Sequence, residues 1–268
     1  GTMVDTWLGL DAKVIAVTGG GSGIGQAIVA GLRAAGAIAV VLDLSVETQL
    51  EDLAQANITT DVTDLAAVTA AIDAIVQRTG RIDGLVNNAG INLPRLLVDA
   101  AGKHPEYELN DASFDLMFNV NVKGVMFGAQ AAARHMIDAG GGVIVNISSE
   151  AGLEGSLGQS AYSATKSAVN GFTRSWAKEM APHNIRVVGV APGINEPTGL
   201  TSPAYNEALA YTRGTTPEQL SPDYAKVIPL GRPGKLEEIA DLVSYLLSPR
   251  ASYITGVTIA ITGGKSRG

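Results

Sequence analysis

Short apolar runs recur along the chain, separated by longer stretches of helical periodicity, and this alternation constrains the fold more than any other feature. Val14-Ile15-Ala16-Val17 is the first run. Ala37–Leu42, Gly84-Leu85-Val86, Gly142–Ile147, Arg186–Val190 and Val257–Ile261 follow. A strand with one wet face alternates apolar and polar residues, whereas a continuous apolar run belongs to a strand covered on both faces. Gly25–Ala35, Asp64–Arg78, Ser113–Ala139, Ala161–Met180 and Leu236–Leu247 read as the covering helices. The pattern predicts an α/β fold with a doubly wound parallel sheet (Rossmann-type). No linker or internal repeat interrupts it, so residues 1–268 are expected to form a single domain, with residues 1–3 a tag remnant. Pro94 to Glu108 and Pro192 to Pro229 break the rhythm with Pro, Gly, Thr and Ser. Irregular segments of that length are commonly functional, and 194–228 is read as a substrate loop or lid.

Composition removes several function classes. There is no cysteine, which excludes disulfides, thiolate metal sites and cysteine nucleophiles. His104, His135 and His183 fit no metal-ligand spacing, so no metal is expected. A formal net charge of -7 argues against nucleic-acid and anionic-membrane partners. No apolar run reaches the roughly 18 residues of a bilayer span, and no targeting segment is visible, so a cytoplasmic protein is expected. Glycine is over-represented at 32 residues, about 12% against a usual share of about 7%.

Part of that excess lies in Thr18-Gly19-Gly20-Gly21-Ser22-Gly23-Ile24-Gly25, between the first strand and the first helix. Glycine suits a backbone that turns sharply and approaches a ligand closely, and the helix start offers free N–H groups to a phosphate. By itself such a cluster equally fits a flexible loop. An acid at the end of the next strand, Asp43, points to a dinucleotide, because its carboxylate suits ribose hydroxyls and repels a 2′-phosphate. NAD is therefore expected over NADP, with a turn-forming Asp as the alternative.

Tyr162 and Lys166 are spaced i, i+4, on one helix face. A free phenol, with a pKa of about 10, is a poor base near neutrality. A fixed ammonium beside it would stabilise the phenolate. Surface decoration is the alternative, but Ser148-Ser149 follows the Gly142–Ile147 strand, where a parallel sheet presents side chains to a ligand crevice.

Across its whole length the chain resembles the short-chain dehydrogenase/reductase family. The turn Thr18–Gly25, Asn87-Asn88-Ala89-Gly90, Asn121 in Asn121-Val-Lys-Gly124, Ser149, Tyr162, Lys166 and Pro192-Gly193 are similar to its motifs. The resemblance implies a catalytic set of Asn121, Ser149, Tyr162 and Lys166. Tyr162 would be the general acid/base and Ser149 a hydrogen-bond partner of the reacting oxygen. Lys166 would lower the tyrosine pKa and bind the nicotinamide ribose, and Asn121 would fix a water leading from Lys166 to solvent. It implies cofactor contacts from Gly19, Gly21, Ser22, Gly23, Ile24, Gly25, Asp43, Asp61, Val62, Asn88, Ala89, Gly90, Tyr162, Lys166, Pro192 and Gly193. Asp61 equally fits an N-cap for the helix that begins near Asp64.

Segments outside those motifs, 92–99, 148–155, 191–199, 207–213 and 263–268, are similar to a polyol-phosphate branch of the family. They imply NAD-dependent interconversion of sorbitol 6-phosphate and fructose 6-phosphate. The alternatives are an unphosphorylated hexitol or other secondary alcohol as substrate, or a non-catalytic NAD sensor. The chain departs from the wider family in a longer stretch from Gly90 to Asn121, and in Asn195-Glu196 where a Thr is common. A phosphate in an acidic protein needs local cations. Arg95, Arg213, Lys265 and Arg267 are the candidates, with solvated surface charge as the alternative for each. Glu150 and Glu154 suit sugar hydroxyls and oppose a nearby phosphate. Phe172 and Trp176 share a helix face, as core or subunit contact, and the family's helix pair at Ser113–Ala139 and Ala161–Met180 implies a homotetramer.

Overall fold

The computed structural model of the protein describes residues 6–197, 202–220 and 223–266. Among them, β1 (Val14–Thr18), β2 (Ile38–Asp43), β3 (Asn57–Thr59), β4 (Gly84–Asn87), β5 (Gly142–Ile147), β6 (Ile185–Pro192) and β7 (Thr258–Ile261) form one parallel sheet in the order β3-β2-β1-β4-β5-β6-β7. Val14 pairs with Ile38 and Thr18 with Leu42, while Val17 also pairs with Val86 of β4. Chain order therefore runs outward from β1 on one side and from β4 on the other. The crevice at a parallel sheet's carboxyl edge opens where the order reverses.

The strands are continuously apolar because both faces are packed. Ile15 and Val17 belong to one core with Ile28, Val29 and Leu32 of α1 (Gly23–Ala34) and Ile239, Val243 and Leu246 of α9 (Leu236–Leu247). Val14 and Ala16, the alternate residues of the same strand, belong to a second core. It takes in Val68, Ile72 and Ile75 of α2 (Leu65–Thr79), Ala132 and Met136 of α4 (Gly124–Ala139) and Ala177 of α6 (Ser160–Met180). The period of two along β1 thus sends successive side chains to opposite layers.

Three differences from the sequence reading have physical causes. β3 is an edge strand of three residues with two polar side chains, too short to give a pattern. The stretch read as one helix from Ser113 to Ala139 is α3 (Asp111–Phe118), a π-helical turn at Asn119–Lys123, and α4. Within Pro192 to Pro229, read as irregular, lie α7 (Pro203–Thr212) and α8 (Tyr224–Val227), while a short α5 (Ala151–Glu154) stands between β5 and α6. Ser202 caps α7 by accepting from the Tyr205 N–H (3.1 Å), with Pro203 in the first turn. That Ser-Pro pair is a helix-start signal which the surrounding Thr and Pro residues obscured.

One buried polar chain ties the sheet centre to α6. Asn87 donates to Asn146 Oδ1 (3.0 Å), and Asn146 donates to Thr173 Oγ1 (3.1 Å). All three side chains are buried. Asn146→Ala should leave Asn87 and Thr173 short of partners and lower stability by about 1–3 kcal/mol. A urea midpoint that falls at unchanged m-value is the expected reading, and an unmoved midpoint would contradict it.

Candidate active site

At the carboxyl edge of β1 the backbone comes close to the β4–α3 connection. Gly19 has φ +64, and a Cβ there would lie 2.9 Å from Ala89 Cα. A Cβ on Gly25 would collide with the Gly19 carbonyl oxygen, so neither position accepts a side chain without movement. Thr18 Oγ1 accepts from the N–H groups of Asn88 (3.0 Å) and Ala89 (3.1 Å), and Asn88 Nδ2 donates to Gly19 O (3.1 Å). These bonds lock the two loops together. The start of α1, at Ser22, carries no side-chain cap. Its first-turn N–H groups are left for an anion.

Asp43 ends β2 facing the same turn. Its Oδ2 accepts from the Gly21 N–H (3.0 Å), and its Oδ1 accepts from Ser45 N (3.0 Å) and Ser45 Oγ (2.9 Å). Gly21 is needed here because a Cβ would come within 2.9 Å of Asp43 Oδ2. The alternative role for Asp61 is corrected: Asp64 is the α2 N-cap, accepting from Ala66 (3.0 Å) and Ala67 (3.3 Å). Asp61 instead holds Thr63 through its N–H (2.9 Å) and hydroxyl (2.7 Å).

Both elements open on a cleft of about 600 Å³. Gly19, Ser22, Gly23, Ile24, Asp43, Asp61, Val62, Asn88, Ala89, Gly90, Ser149, Tyr162, Lys166, Pro192 and Gly193 line it. Gly21 and Gly25 support the wall from behind. Thr60 and Asn92 also line the cleft and were not singled out from sequence, because single polar residues in loops carry no spacing signal; Asn195, noted there only as a departure from the family, lines it too.

Ser149 follows β5, and Tyr162 and Lys166 lie in the first two turns of α6. Ser149 Oγ accepts from the Ala151 N–H (3.1 Å). The neighbouring Ser148 is buried and committed to Asn170 Oδ1 (2.7 Å), which distinguishes the two serines. Lys166 is buried, and its Nζ donates to Ile147 O (3.0 Å) and lies 5.7 Å from the centre of the Tyr162 ring. Gly152 lets α5 sit against the Lys166 stem, since a Cβ there would approach Lys166 Cβ to 2.7 Å. Burial pushes the Tyr162 phenol up to about 12, with the Ser149 hydrogen bond pulling the other way. Burial pulls Lys166 down to about 8. In the free protein, loss of water disfavours both charged forms.

Asn121 sits in the π-helical turn, and its amide is engaged at both ends. Oδ1 accepts from the Ile91 N–H (2.8 Å), while Nδ2 donates to Ile91 O (2.8 Å) and Thr165 Oγ1 (3.1 Å). Thr165 Oγ1 in turn donates to Tyr162 O (2.6 Å). The amide therefore braces the first turn of α6 against the loop after β4.

The expected phosphate and hydroxyl ligands are not in the cleft wall. Arg95 donates to Pro94 O (2.8 Å) and lies over the Tyr107 ring at 5.8 Å. Arg213 donates to Ser156 Oγ (3.1 Å) and Leu157 O (3.4 Å). The Arg95 N–H donates to Gly158 O (2.8 Å), so both arginines flank the 156–159 loop that leads into α6. Lys265 is paired with Glu150 (3.1 Å) and Glu154 (2.8 Å), so these three candidate substrate ligands are engaged with one another. Arg267 lies outside the described residues. Sequence reasoning missed Gln159, buried just before α6, whose Nε2 donates to the Tyr205 hydroxyl (3.0 Å) on α7. Phe172 and Trp176 stack with centroids 4.3 Å apart on α6. Among the described residues no three His, Cys, Asp or Glu side chains gather as a metal set, and no helix is long and apolar enough to cross a membrane.

Residues 13–208 match the family model for short chain dehydrogenases, and the chain belongs to this family of oxidoreductases. A sorbitol-6-phosphate 2-dehydrogenase of Klebsiella pneumoniae is 57% identical over 267 residues, covering 99% of this chain and 100% of that protein. A 3-oxoacyl-(acyl-carrier-protein) reductase of Thermotoga maritima is 38% identical over 263 residues, 95% of this chain and 98% of that one. Among solved structures, a 3-ketoacyl-(acyl-carrier-protein) reductase from Brucella melitensis complexed with NADH superposes with a TM-score of 0.79 at 30% identity, covering 96% of this chain and 100% of that one. The ligand-free aldohexose dehydrogenase of Thermoplasma acidophilum gives 0.81 at 30% identity, over 96% and 95%.

The buried lysine has a thermodynamic signature. Between about 8 and its usual value of 10.5, Lys166 is neutral in the folded protein and still protonated in the unfolded chain. The unfolded state then binds more protons, so this residue makes the free protein gain stability as pH rises through that window. Lys166→Met should flatten the rise, read as urea midpoints against pH. An identical pH profile in both proteins would refute the depressed lysine.

Proposed function

We propose that this chain is an NAD-dependent oxidoreductase interconverting sorbitol 6-phosphate and fructose 6-phosphate by hydride transfer at a secondary alcohol carbon. The observation that carries the substrate is the 57% identity, spanning the whole of both chains, to the Klebsiella pneumoniae sorbitol-6-phosphate 2-dehydrogenase. The residues fit the cofactor. Gly19 and Gly25 sit where a Cβ has no room, the α1 start is uncapped, and Asp43 is held at the turn with both oxygens engaged by it and by Ser45. A carboxylate so placed suits ribose hydroxyls and opposes a 2′-phosphate, which favours NAD over NADP. Gly23, Ile24, Asp61, Val62, Asn88, Ala89, Gly90, Pro192 and Gly193 would complete the contact. The bound nicotinamide supplies the hydride acceptor in oxidation and the donor in reduction.

The chain's own groups handle the proton. Tyr162 takes it from the substrate hydroxyl in oxidation and returns it in reduction. Ser149 Oγ bonds the reacting oxygen and, through its contact with Tyr162, keeps that oxygen in line with the phenol. Lys166 provides positive charge beside a phenolate that the dry site otherwise disfavours. Asn121 braces α6 through Thr165, beside the role of fixing a water that leads from Lys166 to solvent. An intact set of this kind opposes the reading as a mere NAD sensor, which needs no titrating phenol.

The polyol would run from Ser149 and Tyr162 past the Gln159–Tyr205 pair towards Arg213 and Arg95; of the segment 194–228 read as a lid, residues 198–201 and 221–222 lie outside the described residues. Arg95 and Arg213 would turn from their present carbonyl and hydroxyl partners to the phosphate, which a guanidinium binds more strongly. The reading extends to a single-domain cytoplasmic homotetramer. In support of assembly, Phe114 and Phe118 stack at 4.2 Å on α3 with Phe114 exposed.

Tyr162→Phe should lower turnover by about 10²–10⁴-fold, the usual worth of a general acid–base group, while NADH binding followed by fluorescence persists. Near-normal turnover would overthrow the assignment. NADH formation should be fastest with sorbitol 6-phosphate among sorbitol 6-phosphate, mannitol 1-phosphate, galactitol and sorbitol. Arg213→Ala should raise KM for the phosphorylated substrate roughly ten- to a hundredfold, the worth of one hydrogen bond to a charged group, and leave sorbitol unaffected. Activity confined to unphosphorylated polyols would move the assignment to a free hexitol dehydrogenase.

A further inference from the structure

We infer that Lys265 and Ser266 are positioning residues for the reaction: through Glu150 they hold the loop that carries Ser149. The segment after β7 turns back on itself at Gly263 (φ +66) and Gly264 (φ +93), a left-handed conformation that suits glycine. Gly263 O accepts from the Leu230 N–H (3.1 Å), and Cβ atoms at the two glycines would come within 2.8 Å of Ile228 and 3.2 Å of Pro229. The turn thus lies flat against the end of the lid segment and delivers the next two residues onto Glu150.

Both oxygens of that carboxylate are taken. Lys265 Nζ donates to Oε1 (3.1 Å), and Ser266 Oγ donates to Oε2 (2.6 Å). Lys265 also reaches Glu154 Oε1 (2.8 Å), at the other end of α5. The Glu150 side chain is 14% exposed, so this is not a solvated surface pair of negligible worth. The Glu150 N–H donates to Pro192 O (2.9 Å), and its Oε2 lies 3.1 Å from where a Cβ of Gly193 would stand. One residue therefore joins the Ser149 loop, the end of β6 and the segment after β7. Without Lys265 a largely buried carboxylate loses its counter-ion and turns towards water, carrying the adjacent serine with it.

The inference rests on Ser149 holding the reacting oxygen, and the experiment separates the two claims. Lys265→Met and Ser266→Ala are compared by steady-state kinetics with the best phosphorylated polyol and with its unphosphorylated counterpart, alongside NADH affinity and thermal melting. A displaced Ser149 should lower kcat roughly ten- to a hundredfold, the scale of a misplacement near 1 Å, with KM for both substrates and NADH affinity unchanged. Lys265→Arg should restore most of the loss, and Glu150→Gln combined with Lys265→Met should do no more harm than the worse single variant. A KM increase confined to the phosphorylated substrate would make Lys265 a phosphate ligand and overturn the inference, as would unchanged kcat in both variants. If Lys265→Met does not fold, Ser266→Ala decides alone. Ser149→Ala run in parallel assigns the failure: if it leaves kcat intact, the reading of Ser149 falls, and if it alone lowers kcat, the latch falls.

Discussion

Everything at the site depends on covering a parallel sheet on both faces. Parallel strands need crossover connections, and the helices of those crossovers cover the two sides of β1, so that every strand points the same way. All carboxyl ends then gather at one edge, with α1 and α6 beginning there. Ser149, Tyr162, Asp43 and the glycine turn come from parts of the chain far apart in sequence. They share one cleft because the sheet leaves their loops nowhere else to go.

The second dependence is electrostatic, and it comes from the same packing. The layer of α6 against β5 that fixes Tyr162 and Lys166 also removes water from both. The phenol is driven up and the ammonium down, so in the free protein each holds its neutral form more tightly than in solution. The site stores this opposition instead of relieving it. A group that stabilises the phenolate therefore has a large effect there, since the surroundings contribute little screening. Ser149 is the one hydrogen-bond donor that already pulls the phenol downward, which makes the exact placement of its loop matter.

Legibility followed the range of the physics. β5 and α9 were read to their observed limits, because a continuous apolar run and a helical stripe are local signals. β3 escaped, since an edge strand of three residues is set by its neighbour β2 and not by its own side chains. α7 escaped because its capping Ser202 stands among residues that resemble a loop. Of the cleft, the glycines, Asp43, Ser149, Tyr162 and Lys166 were readable from spacing and family resemblance. Thr60 and Asn92 were not, nor, outside the cleft lining, was Gln159 with its bond to Tyr205, for their surroundings are set by what folds over them.

The sequence alone determined the layered architecture, the turn that meets the cofactor and the one-face placement of Tyr162 and Lys166, all consequences of periods and spacings within about twenty residues. Tertiary structure decided the partners of the charged side chains. Lys265 looked from sequence like a spare cation for a phosphate, yet it closes on Glu150 across 115 positions and on Glu154 across 111. Asn121 was read from sequence for a water, and the fold in addition joins its amide to Ile91 and Thr165. The reason is common to both: a polar side chain bonds whatever the fold brings within about 3 Å of it, and no local pattern encodes that.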